Sequence, residues 1–216
     1  MVNTASTISK SDQPIAPTRL VPGCGALVHE MVAILNQNPT AKVATKLHCL
    51  PAKLHNTPQF IAREVDAYLK ENAALYEQIF IAYGDCGTGG ELDRVLQRYG
   101  ATRLEGAHCY EFYSGQEVFA SLVEDEIGSF YLTDYLVKNF DQLVIAGLGL
   151  DRHPELFDQY FKHYKKMVYL AQIENRELRL LAKQYADDFG WDFEFRLVGM
   201  QGLQPIANIN IPVVIE

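Results

Sequence analysis

Short apolar runs alternate with segments of helical periodicity from residue 18 to residue 199, and this order limits the folds open to the chain. The run "QIFIAYG" (78–84) is the clearest example. It is almost continuously apolar, as a strand covered on both faces must be. The segment "GGELDRVLQRYG" follows it with helical spacing and stops at Gly100. The same order recurs along the chain. Strands are expected at 18–23, 41–50, 78–84, around "ATRLEGAHC", at 128–134, at "KMVYLAQ" and at "WDFEFRLVG". Strand-then-helix repetition predicts an α/β fold: one three-layer domain over 18–216, with a mostly parallel sheet flanked by helices. Residues 1–17, polar and Pro-containing, read as a flexible tail.

The helices carry recognisable faces and ends. Leu27, Met31, Ile34 and Leu35 share one face of the first, and Ile61, Val65, Tyr68 and Leu69 one face of the second. Thr57 with Pro58 is the expected start of the second helix, and Ser114 with Glu117 that of the helix in "SGQEVFASLVEDE". "DYLVKNFDQLVIAGLGL" reads mostly as helix. Asp151 is the expected cap of a helix starting near His153 and Pro154. Leu178, Leu181, Ala182 and Tyr185 form the stripe of the last helix, and the apolar tail "IANINIPVVIE" is a candidate edge strand.

Composition narrows the function. The net charge of −8 disfavours a broad nucleic-acid surface. The longest apolar runs, such as "LVIAGLGL", fall far short of the ~20 residues of a spanning helix. The N-terminus lacks the apolar core of a secretory signal, so a cytoplasmic, reducing location is expected. The four cysteines then read as core filler, metal ligands or reactive thiols rather than disulfides.

All four fall at the carboxyl end of an expected strand: Cys24, Cys49, Cys86 and Cys109. In a parallel sheet those ends share one edge, where open α/β folds place their sites. Cys24, Cys86 and Cys109 with His108 form a candidate set for zinc or another thiophilic transition metal, and His55 competes with His108 for the fourth place. A metal held by scattered loops suits an active site in a metal-dependent transferase or hydrolase. The same residues also fit a Cys86 nucleophile with His55 or His108 as base and Asp85 or Asp134 as orienting group. A non-catalytic holder of a small molecule, metal or corrinoid is the third reading. His55 and Asp134 are the catalytic candidates.

The stretch "YGDCGTGG" lacks the lysine of a Walker loop, and Leu92 replaces the last glycine of a dinucleotide fingerprint. Gly87, Thr88 and Gly89 make either a tight turn or an anion site, with Arg152 a further candidate anion partner. Tyr110, Phe112 and Tyr113 are candidate pocket walls.

The ordered set "CGALVHE" (24–30), "LPAKLHNTP" (50–58), "YGDCGTGG" (83–90), "GAHCYEFYSG" (106–115), "FYLTD" (130–134) and "LGLDRHPEL" (148–156) resembles the uncharacterised family known as domain of unknown function 1638. The resemblance places Cys24, His55, Cys86 and Cys109 inside shared motifs and gives Cys49 a lesser place. It implies a link to corrinoid-dependent methyl transfer in one-carbon metabolism. The implied partners are a small-molecule substrate and a corrinoid protein or methyltransferase, with no nucleic acid and no membrane. Homo-oligomer formation is left open.

Overall fold

The structure is a computed structural model and describes residues 18–38, 44–115, 119–121 and 128–199. The expected α/β class holds, with every strand pair parallel and helices flanking the sheets. The strands form two sheets rather than one. The first has the order β2-β1-β3-β4, built from β1 (Arg19–Cys24), β2 (Thr45–Leu50), β3 (Gln78–Ile81) and β4 (Thr102–Arg103). The second has the order β5-β6-β7, built from β5 (Ser129–Leu132), β6 (Lys166–Ala171) and β7 (Asp192–Leu197).

β1 is wholly buried at the centre of the first sheet, although Pro22 and Gly23 make it a poor strand by propensity. Tertiary packing explains the choice. A Cβ on Gly23 would lie 2.8 Å from the Ala82 Cβ, so only glycine lets β1 and the end of β3 approach this closely. The Ala82 amide then donates to the Pro22 carbonyl at 2.8 Å, which extends the pairing past β3 itself.

The helices bury the faces their periodicity foretells. In α1 (Val28–Gln37), Met31, Ile34 and Leu35 are buried, joined by Leu27 from the preceding turn. In α2 (Ile61–Asn72) the buried residues include Ile61, Val65 and Leu69. α3 (Glu91–Tyr99) closes on Gly100 in the left-handed region. After the single turn α4 (Glu111–Ser114), α5 (Asp134–Lys138) runs into a π-helical turn at Asp141–Ile145, so no strand forms there. α6 (Leu156–Phe161) precedes β6, and α7 (Arg176–Phe189) precedes β7. One apolar core takes residues from both sheets.

Several expected boundaries move for local reasons. Thr57 makes no side-chain cap, and a 3-10 turn at Pro58–Phe60 leads into α2. Ser114 closes the turn α4, its hydroxyl 3.2 and 3.3 Å from the Tyr110 and Gly115 carbonyl oxygens; residues 119–121 are helical, and the start of that helix lies outside the described residues. Glu117, the "IANINIPVVIE" tail and residues 1–17 lie outside the described residues. α6 begins a turn later than Asp151, with Glu155 before its first residue.

Asp134, expected as a catalytic candidate, serves as a tie between α5 and the end of β6. Its carboxylate is buried and accepts from the Tyr169 hydroxyl at 2.7 Å and from the Gln172 and Ile173 amides at 3.1 and 3.3 Å. Its own amide donates to Gln172 Oε1 at 2.8 Å, while Thr133 caps the helix by accepting from the Leu136 amide. Asp134→Ala strands two buried donors and one partly buried one, so it is expected to lower unfolding stability by roughly 3 kcal/mol. Denaturant midpoints check this, and the Cys86 alkylation rate of the folded variant is expected to stay at the wild-type value. A loss of stability under about 1 kcal/mol would remove the anchoring role.

Candidate thiol site

The first sheet changes direction between β1 and β3: from β1 the chain passes to β2 on one side and then returns to β3 on the other. A crevice opens at the carboxyl ends of such a pair. Cys24 is the last residue of β1, and Cys86 lies in the loop after β3. Cys109 lies in the loop after β4, one strand further along.

Two loops are zipped together to bring Cys86 and Cys109 into contact. Leu104 donates to the Ile81 carbonyl at 3.1 Å, Asp85 to Gly106 at 3.0 Å and Cys86 to Ala107 at 2.9 Å. Gly84 allows the approach, since a Cβ there would meet the Gly106 carbonyl oxygen at 3.1 Å. Cys86 itself has φ +48°, the only positive φ on a non-glycine residue among the described residues. Such a backbone is strained for a residue with a Cβ and is found where surrounding structure enforces it. The result is a Cys86 Sγ to Cys109 Sγ separation of 2.7 Å.

The two thiols do not titrate alike. The hydrogen bond between the two sulfurs holds Cys86 below the ordinary thiol range, outweighing the upward push of burial. The same bond, together with burial, raises Cys109 well above it. Of this pair, Cys86 is the thiol shifted down and Cys109 the one shifted up. Cys24 is pushed up to about 11, chiefly by burial. The buried Tyr83 hydroxyl has no nitrogen or oxygen partner among the described residues and faces the Cys24 sulfur.

The three thiols, His55 and His108 line one cavity of about 580 Å³. A second space of about 30 Å³ lies among Cys24, Cys109, His55, Tyr110 and Tyr113. That is room for one water or ion. His55 borders both spaces, whereas His108 borders only the larger. Burial, with a smaller contribution from His108, lowers the His55 pKa to about 4, so its imidazole is neutral at pH 7. Its Nε2 lies 3.3 Å from the Tyr110 hydroxyl. His108 stacks on the Tyr110 ring at 5.0 Å, and its buried Nδ1 has no partner among the described residues.

The remaining expected site residues go elsewhere. Cys49 is exposed on β2. The Gly87–Thr88–Gly89 anion site is overturned, because Asp85 fills it. The Asp85 carboxylate accepts from the Thr88 hydroxyl at 2.8 Å and from the Gly89 and Gly90 amides at 3.2 and 2.9 Å. Burial alone would raise Asp85; the three bonds outweigh it and hold the carboxyl below its usual range. The tight-turn reading holds, with positive φ at Gly87, Gly89 and Gly90. Arg152 does not line the cavity; its side chain is 72% exposed and lies 3.6 Å from Asp151. Of the expected aromatic walls, Tyr110 lines the cavity and Tyr113 the small space, while Phe112 is core. The sequence reading missed the opposite wall. It comes from Ser129, Phe130 and Tyr131 at the start of β5 and from Tyr164 just before β6. Phe130 and Tyr131 fall inside the motif "FYLTD", but nothing in that motif points to a cavity wall, because only the fold brings these residues opposite the sulfurs.

The chain belongs to the family described as protein of unknown function, DUF1638. The match covers residues 49–206, which include His55, Cys86, His108 and Cys109 and leave Cys24 before it. Comparison with curated proteins and with solved structures yields no match. No helix among the described residues is long and apolar enough to cross a membrane.

A depressed histidine pKa means the unfolded chain binds more protons between the two values, so stability is lost as pH falls. In metal-free protein, His55 is expected to account for a loss developing from about pH 6.5 toward pH 4, on the order of 3 kcal/mol. His55→Gln is expected to flatten that part of the stability–pH curve. Parallel curves for the two proteins would contradict the burial of a neutral imidazole.

Proposed function

We propose that this chain binds a zinc-like, thiophilic transition metal through Cys24, Cys86 and Cys109, with His55 as fourth donor. The observation that carries this reading is the contact between Cys86 and Cys109 in a cavity that Cys24 also lines. Three sulfurs and a neutral imidazole form a soft donor set suited to zinc or a related ion. His55 is preferred to His108 because it shares the 30 Å³ space with Cys24 and Cys109. His108 is then a neighbour that packs Tyr110 in place.

Among the described residues no group of three or more His, Cys, Asp or Glu side chains already stands at coordination spacing. Zinc–sulfur bonds of ~2.3 Å in a tetrahedron place sulfurs about 3.8 Å apart. Binding thus requires the 2.7 Å pair to open by about 1 Å and Cys24 and His55 to close on the same point. Loading would release protons from Cys109 and Cys24, so affinity is expected to rise with pH.

With all four donors bound the site is closed, so activating a thiol or water there would require His55 to give up its position to substrate. The protein's part is to bind, to orient and to keep water out, with the Tyr110 hydroxyl beside His55 and the aromatic wall over the sulfurs. Together with the family resemblance, this supports a transferase or hydrolase role in a reducing compartment, with methyl transfer alongside a corrinoid protein as the leading case. Turnover on methyl donors separates that role from simple metal or corrinoid holding.

A second reading has its own observation. Cys86 is the more acidic thiol of the pair, and its left-handed backbone presents it at the cavity. It would then be a nucleophile, with Cys109 as proton donor.

Protein purified without a histidine tag is expected to carry about one metal ion per chain, falling well below half in Cys86→Ser. Chelator treatment is expected to speed Cys86 alkylation by iodoacetamide at pH 7, and zinc to slow it again. Metal content near zero, unchanged in Cys86→Ser, with fast alkylation of Cys86, would replace the metal reading by the nucleophile.

A further inference from the structure

Cys86 and Cys109 are free thiols, yet their sulfurs stand 2.7 Å apart. That separation is nearer to the ~2.05 Å of a disulfide bond than to the ~3.8 Å between two sulfurs on one zinc ion. Closing the bond therefore needs less movement of the two loops than loading a metal does. Both loops are fixed close to their cysteines. The Cys86 amide donates to the Ala107 carbonyl at 2.9 Å, and the Asp85 carboxylate accepts from the Thr88 hydroxyl at 2.8 Å. Glu111 accepts from the Ala107 and His108 amides at 2.8 and 3.1 Å, which pins the turn just before Cys109. The backbone at φ +48° holds Cys86 in place against its own preference.

Access to the thiols is graded. Cys86 and Cys109 are both partly buried and line the 580 Å³ cavity. Cys109 also borders the inner 30 Å³ space and Cys86 does not, so Cys86 is the outer thiol of the pair. Cys24 is buried. Cys49 pairs with Gly23, one residue before Cys24, so its side chain leaves the sheet on the opposite face from Cys24.

We propose that Cys86 and Cys109 form a reversible dithiol–disulfide couple that exchanges with a low-molecular-weight disulfide, RSSR, entering by the cavity. The couple goes beyond the metal reading and stands on the sulfur contact whether or not a metal binds. The Cys86 sulfur attacks one sulfur of RSSR. A bond from Cys86 to one RS group forms, the S–S bond of RSSR breaks, and the Cys86 proton leaves with the first RSH. The Cys109 sulfur then attacks the Cys86 sulfur, which forms the Cys86–Cys109 bond and releases the second RSH with the Cys109 proton. Two electrons pass from the cysteine pair to RSSR, and two RSH reverse the sequence. A disulfide that opens and closes in a reducing compartment is usually catalytic or redox-sensing. Closure also takes two sulfurs out of the metal donor set, so the oxidised chain and the metal-loaded chain exclude each other.

The test equilibrates full-length, chelator-treated protein, without air at pH 7, in 2-hydroxyethyl disulfide and 2-mercaptoethanol at a series of ratios. Samples are quenched in acid, remaining thiols are alkylated, and linkages are read by peptide mass spectrometry. Wild type is expected to form the Cys86–Cys109 linkage and to reopen it in excess 2-mercaptoethanol, with Cys49→Ser behaving alike. Cys109→Ser is expected to trap the mixed disulfide on Cys86 at least ~10-fold more than Cys86→Ser traps it on Cys109. Half-closure is expected to need at least ~10-fold less disulfide in folded protein than in the same chain in urea, because the fold already holds the sulfurs together. No Cys86–Cys109 linkage, or one that forms as readily in urea, would overturn the couple. Equal trapping in the two variants would overturn Cys86 as the entry thiol. Zinc binding is measured on the same reduced protein, which separates the two readings. Linkage in protein that binds no zinc keeps the couple and removes the metal. Zinc at one equivalent in protein that never forms the linkage does the reverse.

Discussion

The contact between the Cys86 and Cys109 sulfurs is the interaction around which the rest of the site is arranged. It follows from backbone pairing that continues past β3 and β4, where the chain would otherwise splay. Gly84 makes the close approach possible, and the Asp85 and Cys86 amides donate across to Gly106 and Ala107. Asp85 uses its carboxylate to stitch the glycine turn shut, and Glu111 does the same for the partner loop. Each loop thus satisfies its own polar groups and delivers one sulfur to a shared point. The strained backbone at Cys86 is sustained because these bonds over-determine it.

The position of that contact follows from topology. Parallel strands put all carboxyl ends on one edge, and the reversal between β1 and β3 leaves a crevice there. β5 and Tyr164, two residues before β6, then cover the crevice with rings. Cys24 is buried and the other two sulfurs partly so, His55 becomes neutral, and the Cys86 and Cys109 thiols shift in opposite directions. Burial, polarity and reactivity at the site are one effect seen from three sides: few charges among the described residues reach the space, so every polar group in it responds to its nearest neighbour.

Much of this was legible in the chain before its structure. Strand-then-helix alternation predicts the α/β class, and the places of Cys24, Cys86 and Cys109 after apolar runs predict their meeting. Periodicity also foretells the buried faces of α1, α2 and α7. The division into two sheets was not legible, because a parallel strand reads the same wherever its neighbour lies. The ring wall from Phe130, Tyr131 and Tyr164 was hidden for the same reason: aromatic residues in a strand look like core until the opposite surface is known. Polar residues misled where they had local partners. Asp85 occupies the turn expected to hold an anion, and Asp134 spends its carboxylate on Tyr169, Gln172 and Ile173. Sequence spacing marks where such groups are and is silent on which hydrogen bonds they have already made.

The account turns on whether three sulfurs on three separate loops act on one atom. X-ray absorption at the zinc edge of zinc-loaded protein measures that directly. The account predicts a shell of three sulfurs at ~2.3 Å with one nitrogen at ~2.0 Å, and loss of one sulfur in Cys24→Ser. A shell of oxygen and nitrogen alone, or one identical in wild type and Cys24→Ser, would contradict it.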